Sequence, residues 1–280
     1  MLAKTLMIQG TASSVGKSIL VTALCRIFRQ DGLHVAPFKS QNMTLNSSVT
    51  GRGEEMGRAQ MVQAEAAGVE PDINMNPILL KPGADSRVQV VVLGKPAMTV
   101  TAGEYGRHAN KLLSLAGESL ARLRSAYDVI VIEGAGSPAE INIKANEIVN
   151  MRIAKLAEAS VLLVGDIDKG GVFASLIGTL ALLDEVERDI IKGLIINKFR
   201  GDIALLQPGL DYLESYTSKP VIGVMPYYHD ILIPEEDSAL VSNEKPPCLP
   251  LPGRLEQYDR LADIVRSSLN MKLVYEICGL

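Results

Sequence analysis

The chain of 280 residues has few of the residues that build disulfide frameworks or zinc sites. Its three cysteines, Cys25, Cys248 and Cys278, are far apart, no CxxC pair occurs, and the three histidines are not near them in the sequence. A disulfide framework or a zinc site needs paired or closely spaced ligands. We therefore expect neither, and this cysteine usage is typical of the reducing cytoplasm, where we expect the protein to act.

Aromatic residues make up only 4% of the chain, tryptophan is absent, and the formal net charge is −4 with acidic and basic residues intermixed. Nucleic-acid binding usually needs a basic face or aromatic side chains that stack on bases, and this sequence offers neither. No apolar run approaches the roughly 20 residues that span a bilayer, and the residues after Met1 lack the pattern of a secretory signal. We therefore expect no nucleic acid and no membrane among its partners.

Hydrophobic residues account for 47% of the chain, which is enough for one large α/β domain or two small ones. Short runs rich in Val, Ile and Leu predict buried strands at residues 5–9, 33–38, 129–133, 161–165, 190–197 and 221–225. Segments with helical periodicity lie between and around them, at 18–29, 54–67, 104–125, 147–158, 173–184 and 203–215. This alternation predicts an α/β fold with a doubly wound, mostly parallel sheet, in which ligands bind beyond the carboxyl ends of the strands.

Two further segments lie outside that alternation. RVQVVVL, residues 87–93, predicts a strand at an edge of the sheet or in an extension of it. A Pro-rich stretch predicts a linker over 239–254, because proline fixes φ and removes a backbone donor. The linker would separate a first domain, 1–238, from a C-terminal tail, 255–280, whose residues 255–269 predict an amphipathic helix.

GTASSVGKS, residues 10–18, connects the first predicted strand to the first predicted helix and is typical of a phosphate-binding loop. The usual pattern has four residues between its first glycine and Gly-Lys-Ser/Thr, whereas five lie between Gly10 and Gly16. Lys17 would reach the outer phosphates, Ser18 would bind Mg²⁺, and the positive end of the helix would face the anion. A plain Gly/Ser-rich turn is the alternative, but Gly-Lys-Ser between a strand and a helix favours nucleotide binding. The predicted nucleotide-binding residues of the loop are Gly10, Thr11, Ser14, Val15, Gly16, Lys17 and Ser18.

Acidic side chains follow two other predicted strands. Glu133 ends the third strand and is a candidate Mg²⁺ ligand opposite Ser18. A lone acid in such a position is otherwise a helix cap or a solvated charge, but the nearby phosphate loop favours the metal ligand. Asp166, Asp168 and Lys169 follow the fourth strand, in a segment that is either an anion-facing helix start or a capped turn.

Amide side chains follow two more strands. Asn197 comes at the end of the fifth strand, where it either hydrogen-bonds to a base edge or stabilises a turn. PFKSQNMTLNS, residues 37–47, follows the second strand and brings Lys39, Gln41 and Asn42 to the same edge of the sheet. This density of amides and hydroxyls suits a polyanionic or amide-bearing ligand, although a polar surface loop has the same composition.

Taken together, these segments closely resemble the cobyric acid synthases, the amidotransferases of cobalamin biosynthesis. The matching stretches run from residue 4 to about 238 and are GTASSVGKS, PFKSQNMTLNS, EMGRAQMVQAEAAG, MNPILLKP, QVVVLGK, VIEGAGSPAEIN, GDIDKGGVFAS, INKFRGD and IPEEDS. The five-residue spacing in the loop is shared with dethiobiotin synthetase and cobyrinic acid a,c-diamide synthase, whereas PFKSQNM and NKFRGD favour cobyric acid synthase over both. The resemblance implies a P-loop NTPase fold like that of dethiobiotin synthetase.

The resemblance also implies an activity, a ligase that uses ATP and Mg²⁺ to phosphorylate corrin carboxylates so that ammonia can displace the phosphate. The substrate would be adenosylcobyrinic acid a,c-diamide, amidated at positions b, d, e and g with ammonia from glutamine. By this resemblance, Ser18 and Glu133 hold the metal and Asn197 contacts the adenine. The residues that it implies for catalysis are Lys17, Lys39, Gln41, Asn42 and Asp166, with Asp168 a further candidate.

Full-length members of the family continue into a glutaminase domain with a nucleophilic cysteine, whereas only about forty residues follow IPEEDS here. Cys248 in PPCLP has no strand-to-helix elbow that would activate its thiol, yet 258–277 resembles the extreme C-terminus of the family. We expect an internal deletion, so that the chain uses free ammonia or a separate glutaminase, or is an inactive remnant.

Two alternative functions stay open. One is a ligase with a different acceptor, such as cobyrinic acid or a non-corrin carboxylate, and the other is a nucleotide-switch ATPase. A homodimer stays open.

Overall fold

A computed structural model describes residues 2–83, 85, 87–228, 233 and 250–280. Within these residues the strands are β1 Lys4–Gly10, β2 Val35–Phe38, β3 Gln41–Met43, β4 Ser47–Val49, β5 Glu55–Gly57, β6 Ile78–Pro82, β7 Arg87–Val92, β8 Lys95–Thr101, β9 Val129–Glu133, β10 Ser160–Asp166, β11 Ile191–Phe199 and β12 Val221–Pro226.

The helices alternate with these strands, and two short 3₁₀ turns lie at Ile73–Met75 and Gly106–His108. The helices are α1 Lys17–Gln30, α2 Arg58–Ala67, α3 Ala102–Tyr105, α4 Ala109–Ala126, α5 Met151–Ala157, α6 Val172–Leu182, α7 Glu185–Ile190, α8 Ile203–Thr217, α9 Leu251–Ser268 and α10 Met271–Cys278.

The central sheet has six parallel strands in the order β12-β11-β10-β1-β9-β2. Helices cover both of its faces. Leu24 of α1, Leu261 of α9 and Val274 of α10 belong to the core on one face, whereas Leu120 of α4 and Leu176 of α6 belong to the core on the other. Because both faces are covered, the strands are almost continuously buried, as parallel strands in doubly wound folds are. The predicted α/β class and all six predicted strands are confirmed, with bounds that differ by two residues at most.

The predicted helices are confirmed in position, but the one predicted over 104–125 is divided by a 3₁₀ turn into α3 and α4, and two others begin later than expected. Residues 55–57 pair with β4 as β5, so the helix predicted from 54 begins at Arg58. The carboxylate of Glu147 accepts hydrogen bonds from the backbone N–H groups of Val149, Asn150 and Arg152, and this cap delays α5 to Met151.

The strand predicted over 87–93 exists, but its predicted place at an edge or extension of the central sheet is wrong. It is β7, an inner strand of a separate four-stranded sheet with the order β3-β6-β7-β8. β7 pairs with β6 and β8 in antiparallel fashion, whereas β3 pairs with β6 in parallel. Because β3 follows β2 by only two residues, this second sheet lies next to the carboxyl end of β2.

The C-terminal residues are part of the same core as the first helix. α9 begins at Leu251, within the stretch predicted as linker, and most of that stretch lies outside the described residues, as does Cys248. The guanidinium of Arg26 on α1 donates two hydrogen bonds to Asp259 on α9, at 2.7 and 2.9 Å. Tyr258 is buried, and its hydroxyl donates to Glu65 on α2 at 2.9 Å. The helices after residue 250 thus hold α1 and α2 in place.

Two of the three cysteines lie in this core. Cys25 and Cys278 are buried and free, and burial raises the pKa of the Cys278 thiol to about 12. Within the described part of the chain, no three His, Cys, Asp or Glu side chains are grouped so as to hold a metal ion among themselves. No helix among the described residues has the length and apolar character that crossing a membrane requires.

Candidate active site

The loop between β1 and α1 curls around the N-terminus of α1 through two left-handed residues. Ser14 has φ 57° and Gly16 has φ 99°, and such angles favour glycine. A Cβ atom added at Gly16 would lie 2.1 Å from Nδ2 of Asn197, so the backbone at this position must also pass very close to β11. The conformation of the loop therefore depends on a glycine at residue 16.

The loop is anchored by the two strands beside β1 on one side of the sheet. Asn197 donates to the carbonyl oxygen of Val15 at 2.8 Å, and the Lys198 ammonium donates to that of Ser14 at 2.6 Å. The backbone N–H of Thr11 donates to the carbonyl oxygen of Val164 on β10 at 2.9 Å. These contacts fix the loop to β10 and β11, so that its backbone is already in place to bind a ligand.

Lys17 is the first residue of α1, and its side chain lies across the mouth of the loop. Its ammonium donates to the carbonyl oxygens of Ala12, at 2.8 Å, and Gly136, at 3.2 Å. Gly136 belongs to the turn that follows β9, the neighbour of β1 on the other side. The charge of Lys17 and the positive end of the 14-residue α1 thus lie at one place, as anion binding requires.

Glu133 ends β9 and is the centre of the polar contacts of the site. Its Oε1 accepts hydrogen bonds from the Ser18 hydroxyl at 2.9 Å and from the Lys39 ammonium at 2.8 Å, and its Oε2 accepts from the Gln63 amide. The side chain is only 1% exposed. Burial by itself would raise the pKa of Glu133, but the adjacent charge of Lys39 and the hydrogen bonds from Lys39, Gln63 and Ser18 lower it below its usual range. Glu133 is therefore an ionised carboxylate.

The segment after β2 brings three predicted residues into the same groove as Glu133. Lys39 is buried beside it, and the Asn42 amide donates to Oε1 of Gln60 at 2.9 Å. Gln41 accepts a hydrogen bond from the hydroxyl of Tyr105. All three line a groove of about 560 Å³ together with the loop and the turn after β9. The predicted site residues that line this groove are Ser14, Gly16, Lys17, Ser18, Lys39, Gln41, Asn42 and Glu133.

The structure does not bring Asp166 into this groove. Asp166 ends β10, on the other side of β1 from β9, and its carboxylate lies 3.0 Å from the Lys198 ammonium. The same carboxylate accepts from the backbone N–H of Asp168, whose own side chain pairs with Arg200 at 2.8 Å. These contacts engage Asp166 with the lysine that supports the loop, and its predicted catalytic role stays a prediction.

Asn197 also lies outside the groove. Its amide is 2% exposed, donates to Val15 and accepts from the backbone N–H of Lys198 at 2.9 Å. A positioning role for the loop follows directly from these contacts, whereas a contact with adenine stays a prediction. Gly10, Thr11 and Val15 belong to the predicted loop but are not among the residues that line the groove.

Sequence reasoning missed the amides that support the site from α2 and the segments around it. Gln60 and Gln63 are fully buried on α2, three residues apart, and contact Asn42 and Glu133 respectively. Asn76 donates to the carbonyl oxygen of Lys39 at 3.0 Å. Two glutamines at helical spacing in the alanine-rich stretch RAQMVQAEAA were a usable signal, because a buried helix face rarely carries amides without partners.

The residues present fit a magnesium nucleotide. A hydroxyl and an ionised carboxylate, from Ser18 and Glu133, are hard oxygen donors directly beside the loop. Mg²⁺ is typically held by one or two such protein ligands, with phosphate and water completing its coordination. Ser18 and Glu133 would hold the ion, and Lys17 with the loop backbone would hold the phosphates.

Comparison with known proteins agrees with this geometry. Residues 6–240 match the model of the CobQ/CobB/MinD/ParA nucleotide binding domain family. A cobyric acid synthase of Dehalococcoides mccartyi strain CBDB1 is 62% identical over 244 residues, which are 87% of this chain and 48% of that protein. Those of Desulforamulus reducens and Sorangium cellulosum are 60% and 57% identical, over 87% and 91% of this chain and 48% and 49% of theirs.

The chain spans about half the length of the curated relatives it matches. Over that span it has the phosphate loop, the parallel sheet and the strand-end carboxylate of a P-loop nucleotide-binding domain. The chain belongs to the CobQ/CobB/MinD/ParA nucleotide-binding domain family, and within it is similar to cobyric acid synthases.

Proposed function

We propose that this chain catalyses ATP-dependent amidation of corrin side-chain carboxylates in cobalamin biosynthesis, with adenosylcobyrinic acid a,c-diamide as substrate and positions b, d, e and g as targets. The observation that carries the proposal is that the phosphate loop and the segment after β2 open into one groove, on either side of Glu133. A nucleotide at Lys17 and a carboxylate at Lys39 would therefore face each other. The similarity to cobyric acid synthases supports the same reaction.

ATP with Mg²⁺ supplies the phosphoryl group that turns an inert carboxylate into an acyl phosphate, from which ammonia releases phosphate and forms the amide. The chain contributes positioning and charge. Lys17 and the N-terminus of α1 would bind the transferred phosphoryl group from the loop side. Lys39 would neutralise the incoming carboxylate, because its ammonium already lies within the groove beside Glu133. Asn42, held by Gln60, would orient the same carboxylate by hydrogen bonding.

The ammonia would come from solution or from a separate glutaminase, and we propose the cytoplasm as the compartment. The proposed ammonia source rests on Cys248, whose surrounding sequence PPCLP has no strand-to-helix elbow that would activate its thiol. The two described helices after residue 250, α9 and α10, pack against α1 and contribute residues to the same core.

The test is an assay with ATP, Mg²⁺ and the diamide, with either ammonium or glutamine, that follows ADP release and the amide products by mass spectrometry. We expect amides with ammonium, none with glutamine alone, and loss of both signals in Lys17→Ala. Equal turnover with glutamine would contradict the proposed ammonia source. ATP hydrolysis that is independent of any carboxylate would contradict the ligase and favour a nucleotide switch. Cobyrinic acid in parallel assays would reveal a different acceptor preference.

A further inference from the structure

Three large apolar side chains line the active-site groove although they are more than half exposed. Met43 is 57% exposed, Leu45 61% and Ile143 52%. Single exposed apolar residues are common on protein surfaces, but several that border one concave site mark a binding surface. We call Met43, Leu45 and Ile143 the apolar rim.

The apolar rim has two sides, which come from segments that follow neighbouring strands of the central sheet. Met43 and Leu45 lie in and just after β3, in the segment that follows β2, whereas Ile143 lies in the segment that follows β9. β3 is an edge strand of the second sheet, and its three residues differ in exposure, with Asn42 buried and Met43 exposed. The apolar rim therefore flanks the groove at the carboxyl edge of the sheet, where ligands of this fold bind.

The buried part of the groove is polar, whereas its exposed part is largely apolar. Its buried part carries charge and amides, namely Lys39, Glu133 and Asn42, which are at most 4% exposed. Its exposed part carries the apolar rim and the exposed Pro82, which adds rigid apolar surface to the lining. A small, wholly polar carboxylate would use the buried part and leave the rim in water. The lining instead suits a ligand with a broad apolar body and carboxylates at its periphery.

We propose that the apolar rim holds the body of the acceptor, a corrin macrocycle with its methyl groups, while one peripheral carboxylate reaches Lys39. This inference rests on the proposed function and adds to it the residues that recognise the substrate. Apolar contact has no preferred direction, unlike a hydrogen bond. The same rim can therefore hold the ring in several rotations, each of which presents a different side chain to the same phosphoryl group. Such a surface explains how one site can serve several positions of one substrate.

The test uses the variants Met43→Ser, Leu45→Ser and Ile143→Ser, alone and combined, in the full chain. Affinity for the diamide is measured directly by equilibrium dialysis, affinity for ATP is measured separately, and KM and kcat are measured with ammonium. Burial of part of a Leu or Met side chain predicts a corrin Kd and KM raised about three- to tenfold per variant, with ATP affinity unchanged. Met43→Leu, which keeps the apolar surface, should retain wild-type affinity.

Val186→Ser is the matched control. Val186 is 63% exposed on α7, which leads into the amino end of β11, and so lies at the opposite edge of the sheet. A corrin Kd that is unchanged in the triple variant, or one that changes only as much as ATP affinity does, would overturn the inference. Because dialysis measures binding without turnover, a wild-type chain that binds the diamide through the rim but forms no amide would contradict the proposed function alone.

Discussion

The Ser18 hydroxyl donates a hydrogen bond of 2.9 Å to Oε1 of Glu133, a residue 115 positions further along the chain. Ser18 lies in the first turn of α1 and Glu133 at the end of β9, and the pairing of β1 with β9 brings the two elements together. Lys39 donates to the same oxygen at 2.8 Å. One buried carboxylate therefore connects the phosphate loop with the segment proposed to bind the acceptor.

Glu133→Gln should separate the two roles of this carboxylate. Removing its charge breaks the buried ion pair with Lys39, and breaking a buried ion pair from one side typically costs about 3–5 kcal/mol of unfolding free energy. The double variant Glu133→Gln, Lys39→Met removes both charges and should recover most of that loss. Mg²⁺-dependent nucleotide binding, measured by calorimetry, should stay lost in both. Recovery of Mg²⁺ dependence in the double variant would show that Glu133 is not a metal ligand.

Gln63→Met should weaken Mg²⁺-dependent binding of ATP by about 10- to 100-fold, the usual cost of removing a side chain that orients a metal ligand. The Gln63 amide donates to Oε2 of Glu133 and lies on α2, one turn from Gln60. Gln60→Met is the matched control, because Gln60 is equally buried but contacts Asn42 instead. The control should keep Mg²⁺ affinity and raise the KM for the acceptor. Equal losses of Mg²⁺ affinity in both variants would mean that α2 acts only through packing.

Gly16→Ala should abolish nucleotide binding and lower the unfolding free energy by about 1–3 kcal/mol, a cost typical of strained backbone. Its φ of +99° is unfavourable for alanine, and the new Cβ would lie 2.1 Å from Nδ2 of Asn197. Gly51→Ala is the control, because a Cβ there meets no atom within 4 Å and the backbone needs no positive φ. Thermal unfolding and titration with an ATP analogue measure both effects. Unimpaired binding in Gly16→Ala would show that the loop can rearrange.

The proximity of side chains at the strand ends was predictable, because the hydrophobic pattern of the sequence predicts a parallel sheet. Once the strands are parallel, their carboxyl ends share one edge, so Lys17, Lys39 and Glu133 had to lie near one another. Which of the side chains at the strand ends line the groove was not predictable, since this depends on which neighbour each strand has in the sheet. Asp166 ends β10, which lies on the opposite side of β1 from β9, and it pairs with Lys198 instead of lining the groove.

The contacts of buried residues were also beyond sequence reasoning. The spacing of Gln60 and Gln63 indicates that buried amides need partners, but it does not identify the partner of Gln63, because Glu133 is 70 positions away in the chain. The second sheet was hidden for a similar reason: β7 reads as a strand, but its partners β6 and β8 decide that it belongs to a separate layer. Periodicity predicts α9, whereas its packing against α1 depends on contacts such as Arg26–Asp259.

Tyr258→Ala should lower the unfolding free energy by about 3–5 kcal/mol, the usual cost of truncating a large buried side chain. Tyr258 is 2% exposed and belongs to the core that α9 forms with α1. Tyr216→Ala, at a tyrosine that is 62% exposed on α8, is the control and should change stability little. Urea denaturation measures both. A small effect at Tyr258 would mean that the residues after 250 do not stabilise the nucleotide-binding domain.

The stabilising effect of Glu65 should disappear in acid. Burial alone would raise the pKa of Glu65, but its hydrogen bonds from Arg254 and Tyr258 and the charge of Arg254 lower it below the ordinary value of 4.5. A carboxylate whose pKa is depressed by folding stabilises the folded state above its unfolded pKa, and this contribution is lost as the pH falls through the folded value. The difference in unfolding free energy between the wild type and Glu65→Gln should be about 0.5–1 kcal/mol at pH 7, because the ion pair is partly exposed. It should shrink as the pH is lowered below 4.5.

Arg254→Met should remove most of this pH dependence, since it removes the charge that lowers the pKa of Glu65. A difference that is constant between pH 7 and pH 3, measured by urea denaturation, would show that Glu65 stabilises the contact between α2 and α9 by shape and not by charge.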